Sequence, residues 1–346
     1  MSPKLNILMT GVTGFIGGSV LKNFLNHPDF SSFNITVLVR SPEKADKLKK
    51  LGVNPVLGSH DEEKVMVDVA AENDVVIAMA DADNFKAAQA VLKGLKKRYE
   101  KTKTVPILIH TSGTGVLADN AEGHSSTETI YDDSNPDQIE SLPDSRPHRN
   151  VDLEILRADK EGYVRTHIVL PSTIWGFATG VLADQGIQNR FSIQVPQLIR
   201  ASLNRRRGGM VGEGRNIWPD VDVNDVAELY VVLFNAIRAG NNPAIGHGRD
   251  GFYFGENGEH TLYEVGKAIS VALVQLGLSE YSEPSTFTKE EINEYLEGST
   301  YLGSNSRCRG RRSRAIGWKP TKTKEDFLAS IKPEVEVIAG DIKALA

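Results

Sequence analysis

Ile7-Leu8-Met9-Thr10-Gly11-Val12-Thr13-Gly14-Phe15-Ile16-Gly17 is an apolar run that breaks into three glycines within seven residues. The residues from Leu5 to Met9 read as a buried parallel strand, and Gly17 to Leu25 as the helix that follows. Gly11 allows the tight turn between them, Gly14 lets backbone approach a pyrophosphate, and Gly17 lets the helix pack close to the strand. Phosphates would then sit on the free N–H groups at the positive end of that helix. Set between a strand and a helix, the trio points to a dinucleotide site built from Gly11, Thr13, Gly14, Phe15, Ile16 and Gly17.

The second strand bears on which dinucleotide. Ile35 to Val39 is apolar and β-branched, and it ends at Arg40-Ser41-Pro42. A carboxylate at that strand end would bond a ribose 2′-OH, whereas an arginine accommodates a 2′-phosphate through paired hydrogen bonds. Arg40 with Ser41 therefore favours NADP(H) over NAD(H).

The remaining chain alternates strand and helix, as a doubly wound parallel sheet requires. Asn54 to Leu57 reads as a third strand, followed by Gly58-Ser59-His60-Asp61. Asp74 to Ala80 reads as a fourth, with the small or slender Ala78, Met79 and Ala80 where backbone would pass the cofactor. A helix from Asn84 to Tyr99 follows, then a fifth strand from Val105 to His110 ending at Thr111-Ser112-Gly113. His167 to Leu170 gives a sixth, ending at Pro171-Ser172-Thr173. Ligands in such sheets bind outside the carboxyl ends of the strands, so these last two ends are where chemistry is sought. The expected fold class is α/β: a Rossmann-type doubly wound parallel sheet over 1–176 and a smaller C-terminal substrate lobe over 177–346. A strand–helix segment at 219–240 is expected to return to the first lobe, with Asp225 as the N-cap of its helix.

With 346 residues the chain exceeds the usual single-core size, which also argues for two lobes. A net charge of -5 argues against a nucleic-acid surface, and no apolar run is long enough to span a bilayer. Cys308 is the single cysteine, so no disulfide framework or thiolate metal site is possible within one chain, and no metal is expected. The absence of an N-terminal signal ahead of the first strand suits a cytoplasmic protein.

The Gly-x-x-Gly-x-x-Gly spacing, with Thr10, Thr13 and Phe15-Ile16, closely resembles the extended short-chain dehydrogenase/reductase family. Pro171-Ser172-Thr173 resembles that family's proline turn at the nicotinamide carboxamide. By the same resemblance Asp61 would contact the adenine, although it reads equally well as the N-cap of the next helix. One of Thr111, Ser112 and Thr114 would bond the substrate oxygen. Trp218 stands near the expected cleft but is more readily a core residue. The resemblance also implies a homodimer formed through two helices at one edge of the sheet.

Here the sequence departs from the family. Its reductases and epimerases carry Tyr-x-x-x-Lys between the fifth and sixth strands, and the tyrosine exchanges a proton with the substrate oxygen. Tyr99 with Lys103 and Tyr263 with Lys267 match the spacing, but both fall in the wrong place. The segment that should carry the pair contains Asp144, His148 and Asp152. One register puts Asp144 and His148 in the tyrosine and lysine positions, and the other puts His148 and Asp152 there. His148 and Asp152 would share a face of a helix starting near Pro147, an aspartate-oriented imidazole able to move a proton. Tyr131 is a lesser candidate for a missing phenol.

Five arginines lie between Arg307 and Arg314. Relatives that bind sugar nucleotides use basic residues nearby for the diphosphate, but clustered charge more often forms a solvated turn. The expectation is an NADP(H)-dependent oxidoreductase acting on a small organic carbonyl or alcohol. The alternatives are a redox-neutral isomerase or epimerase using NADP(H) transiently or as scaffold, or a regulator that binds NADP(H), like the nitrogen-metabolite-repressor relatives.

Overall fold

The first strand of the computed structural model, which describes residues 3–345, is the apolar run already quoted, β1 (Leu5–Thr10). Ile7, Leu8 and Met9 are fully buried because neighbours cover both faces of the strand. It is joined in one all-parallel sheet by β2 (Phe33–Val39), β3 (Asn54–Leu57), β4 (Val75–Ala78), β5 (Ile107–Thr111) and β6 (Arg165–Pro171). Two further strands, β7 (Thr173–Trp175) and β8 (Ile217–Asp222), lie outside it, and β9 (Phe252–Gly255) completes it. The order is β3-β2-β1-β4-β5-β6-β9, so the sheet grows outward in both directions from β1 and β4. Their loops diverge at that switch point and leave a crevice above the carboxyl ends.

Helices cover both faces. On one side α1 (Phe15–Leu25) packs with α7 (Val223–Ala239), whose Val226, Tyr230 and Phe234 meet Val20 and Phe24 over Ile7 and Met9. On the other, α3 (Glu63–Ala71), α4 (Phe85–Thr102) and α5 (Arg149–Lys160) bury Met66, Leu95 and Ile155 against Leu8, Val76 and Leu108. The connecting α2 (Pro42–Lys50) is capped by Ser41, whose Oγ accepts from the Lys44 N–H at 3.3 Å.

The second lobe is built on a three-stranded sheet in which β8 pairs parallel with β7 and antiparallel with β10 (Glu259–Thr261). Its core lies among α6 (Gln194–Asn204), α8 (Leu262–Gln275) and α9 (Lys324–Leu345), with Trp175, Ile199, Ile269 and Phe327 buried together. The chain crosses between lobes repeatedly: β6 leads directly into β7, β8 into α7, and β9 into β10.

Two local expectations are corrected. The return helix starts at Val223, not Val226, and its cap is Asp222, which accepts from the Asn224 and Asp225 N–H groups. Asp225 instead accepts from the N–H groups of Thr321 and Lys322, both at 2.9 Å, pinning the C-terminal segment to the helix start. The arginine cluster is not a solvated turn. Arg307 and Arg309 pair with Glu259, Arg311 with Asp132, Arg312 with Asp250, and Arg314 with Glu256. Among the described residues no helix is long and apolar enough to cross a membrane.

Candidate active site

The glycine loop forms the cradle that its sequence demands. Gly11 has φ +73°, a conformation that disfavours any side chain, and a Cβ there would collide with the Met79 carbonyl. A Cβ on Gly17 would strike the Gly11 carbonyl, which sets how closely α1 can approach β1. Gly14 occupies the N-cap of α1 and offers no side-chain acceptor, so the first-turn N–H groups of Phe15, Ile16 and Gly17 lack intrahelical partners. Gly14, Phe15, Ile16 and Gly17 all line one large cleft. Such a helix terminus suits a diphosphate.

A recess of about 260 Å³ opens on the other side of the loop, walled by Gly11, Thr13, Arg40, Ser59 and His60, and it shares Gly14, Met79 and Ala80 with the cleft. Arg40 is exposed at this recess and makes no ion pair among the described residues. Ser41 spends its hydroxyl on capping α2 and is not in the wall. Asp61 is not the N-cap of the next helix. It accepts from Ser59 Oγ at 3.1 Å and from Asn84 Nδ2 at 2.7 Å, tying two loops together, while Glu62 occupies the cap position of α3. The Asn84 and Ser59 hydrogen bonds hold the Asp61 carboxyl below its usual range. Ala78 faces a separate small cavity beneath the recess, with His110, and Thr173 faces another beside Trp218. Pro171 and Ser172 do line the cleft, Ser172 Oγ donating to the Gly255 carbonyl at 2.8 Å. The two spaces together fit an extended dinucleotide running from Arg40, past the α1 terminus, to Pro171.

The main cleft, about 620 Å³, continues beyond Pro171 between the lobes, and His148 stands in its wall. The expected helical pairing of His148 with Asp152 is not formed. α5 begins at Arg149, and His148 is its N-cap in the left-handed conformation, φ +65°, so the four-residue spacing no longer places both side chains on one helix face. The imidazole instead meets Asp83, in the loop after β4: Nδ1 lies 2.7 Å from Asp83 Oδ1, which also accepts the His148 N–H at 3.2 Å. Nε2 is turned toward Gly113 and Gly115, 3.1 Å from where a Cβ on either would sit. A side chain on either glycine would press on the ring, and one on Gly115 would also collide with the Tyr301 hydroxyl. Asp144 and Tyr131 are absent from the cleft wall.

Asp152 is fully buried and accepts from Ser112 Oγ at 3.1 Å. Burial pushes its carboxyl up to about 7, outweighing the nearby Ser112 and positive groups that draw it down. Thr111 shares a 2.6 Å hydrogen bond with Tyr230, equally buried. Both hydroxyls are therefore committed inside the fold, and Thr114 is the member of that run that lines the cleft, its Oγ1 without a protein partner. His110, fully buried, is pushed down to about 3 by desolvation and stays neutral. The raised Asp152 value carries a stability signature. The unfolded chain gives up this proton at lower pH than the folded one, so wild type loses stability as pH rises from about 4 to about 7. Asp152→Asn removes that loss: relative to wild type it gains about 2 kcal/mol between pH 5 and pH 8, read from urea unfolding at both values. A constant difference across that range would refute the buried-acid account.

The stray Tyr-x-x-x-Lys matches play no part in the cleft. Tyr263 donates to Glu283, which also pairs with Lys267, on the surface of α8, and Lys103 ends α4 away from the crevice. What sequence reasoning missed is Asp83, whose one signal was its position in the loop beyond a cofactor-facing strand, and Tyr301, which enters the cleft from the far end of the chain.

Fold, glycine loop and strand-end turns together resemble those of the extended short-chain dehydrogenase/reductase family, without its Tyr-x-x-x-Lys pair. A model of the NmrA-like family matches residues 3–96. Over 334 residues the chain is 28% identical to the oxidase ucsJ of an Acremonium species, covering 91% of this chain and 92% of that one. A 4-hydroxy-2-methyl-3-oxo-4-farnesyl-3,4-dihydroquinoline-1-oxide ketoreductase of Stigmatella aurantiaca is 26% identical over 235 residues, 65% of this chain and 63% of its own length. Among solved structures, UDP-glucose 4-epimerase of Thermotoga maritima superimposes with TM-score 0.63 at 15% identity, covering 98% of this chain and all of that one. At that identity the likeness is one of fold.

Proposed function

We propose that this protein is an NADP(H)-dependent oxidoreductase acting on a small organic carbonyl or alcohol, with His148 as the group that moves the proton. The observation that carries the reading is the Asp83–His148 pair, whose free Nε2 faces the cleft where the cofactor cradle ends. A bound nicotinamide would supply or accept the hydride. Asp83 fixes the tautomer with the proton-bearing or accepting Nε2 toward the cleft, and it stabilises the imidazolium when the ring is charged. In the reducing direction His148 donates from Nε2 to the substrate oxygen, and in the oxidising direction it takes that proton back. The names of the Acremonium and Stigmatella relatives support a redox role.

The test is consumption of NADPH by purified protein presented with a panel of aldehydes, ketones and enones. Turnover establishes the activity, while tight NADPH binding with no turnover across the panel favours a regulator or a redox-neutral isomerase. The choice of NADP(H) rests on Arg40. Arg40→Ala is expected to weaken NADPH about 10- to 100-fold, the loss of about 1.4–2.7 kcal/mol for a charge-assisted phosphate contact, while NADH affinity is unchanged. Equal losses for both cofactors would assign Arg40 a general structural role.

A further inference from the structure

The substrate end of the cleft carries no fixed charge. Beyond the cradle its wall is Ile174, Phe191, Ile193, Trp218, Leu296 and Leu302 with the neutral polar side chains of Ser192, Gln194, Gln197 and Ser299, and no aspartate, glutamate, lysine or arginine is among the lining residues. Ile193 is 80% exposed, an apolar side chain left facing solvent at the opening. The arginines that would serve a diphosphate are each paired with a carboxylate, and none of them lines the cleft. A phosphate or carboxylate placed here would give up hydration with no lysine or arginine in the wall to replace it.

Tyr301 supplies what this apolar wall otherwise lacks. Its ring meets Trp218 edge-on at 5.5 Å between centroids, and Trp218 is itself fixed by donating Nε1–H to the Ser304 carbonyl at 2.6 Å. The backbone N–H of Tyr301 donates to Ser299 Oγ at 3.2 Å, and its carbonyl accepts from Ser304 Oγ at 2.6 Å. The hydroxyl makes no protein hydrogen bond among the described residues. Tyr301 Oη and His148 Nε2 both lie within 3.1 Å of the point where a Cβ on Gly115 would sit, so the two are separated by at most twice that distance. The two polar atoms thus converge on one part of the cleft wall, beside Gly115. Burial and the Asp83 carboxylate push the Tyr301 hydroxyl up, which keeps it a donor at neutral pH.

We infer that the substrate is an uncharged compound with a flat apolar body and no phosphate or carboxylate, its reacting oxygen held by Tyr301 Oη opposite His148 Nε2. This rests on the oxidoreductase reading for the reaction but not for the binding. Tyr301, carried by the C-terminal lobe, then stands in place of the tyrosine that the usual helix lacks.

The test pairs two readouts. Tryptophan fluorescence of the NADP⁺-bound protein is titrated with acetophenone, 4-carboxyacetophenone and UDP-glucose, with Trp218→Phe identifying the responding residue. NADPH-dependent rates are measured on the same ligands. The neutral ketone is expected to quench Trp218 at least 100-fold more tightly than either charged ligand. Tyr301→Phe is expected to weaken that quenching about tenfold and to lower kcat/KM about 10- to 100-fold, with NADPH affinity unchanged. Quenching selective for the neutral ketone without NADPH consumption upholds the ligand class and removes the oxidoreductase reading. Comparable affinity for the carboxylate or the nucleotide sugar overturns the ligand class, and an undiminished Tyr301→Phe response overturns the hydrogen bond.

Discussion

His148→Gln is expected to lower kcat by about 100- to 10,000-fold, the range that a positioned general acid or base contributes, while NADPH binds within about twofold of wild type. Glutamine keeps a polar side chain of similar reach but has no proton to give at neutral pH. The separation of the two readouts follows from the geometry. His148 stands in the cleft wall beyond Gly113, whereas the phosphates would be gripped at the α1 terminus by Gly14, Phe15 and Ile16. Stopped-flow NADPH oxidation with a substrate found in the panel gives kcat, and NADPH fluorescence gives affinity. A variant that retains more than a tenth of wild-type kcat would remove His148 from the chemistry and leave the proton to Tyr301 or to solvent.

Gly11→Ala is expected to abolish cofactor binding and to weaken the fold. The residue stands at φ +73°, which costs an L-residue about 1–2 kcal/mol. The added methyl would also lie against the Met79 carbonyl and Ala80 Cα, rigid backbone atoms of the strand end that forms the opposite wall of the cradle. Relief requires the loops after β1 and β4 to part, and that displaces the α1 terminus from any phosphate. NADPH affinity should fall more than about 100-fold, equivalent to about 2.7 kcal/mol, with thermal unfolding several degrees lower. Unchanged affinity would show that the dinucleotide lies elsewhere. Gly14→Ala makes the informative contrast, since its Cβ would approach only the Gly11 carbonyl, at 3.1 Å.

The half of the site that was legible in sequence is the half made of contiguous chain. Strand, glycine turn and helix start occupy Leu5 to Leu25, and the periodicity, the glycine spacing and the missing cap side chain all act locally. The half proposed to move the proton is assembled across the fold. His148 and Asp83 are 65 residues apart, and Tyr301 reaches Gly115, one of the glycines facing His148, from the second lobe. Helical spacing misled at Asp152 because the step between His148 and α5 is a left-handed cap, which no side-chain pattern announces. Thr111 and Ser112 were placed at the correct strand end, but their hydroxyls are taken by Tyr230 and Asp152 from packed helices, partners invisible to spacing. β9 escaped notice because three buried aromatic residues between Gly251 and Gly255 carry too little periodicity to read.

On the proposed reading, the backbone of His148 sets stability against chemistry at a single residue. Its φ of +65° is one that glycine or asparagine adopts with less strain. A lineage of this fold that held the dinucleotide only to sense it would gain about 1 kcal/mol by drifting to either residue there, with no loss of binding. Retaining histidine in that conformation means accepting a slightly softer protein for the sake of turnover. The identity of this one residue therefore serves as a diagnostic, separating chains of this architecture that have kept their chemistry from those that have traded it for rigidity.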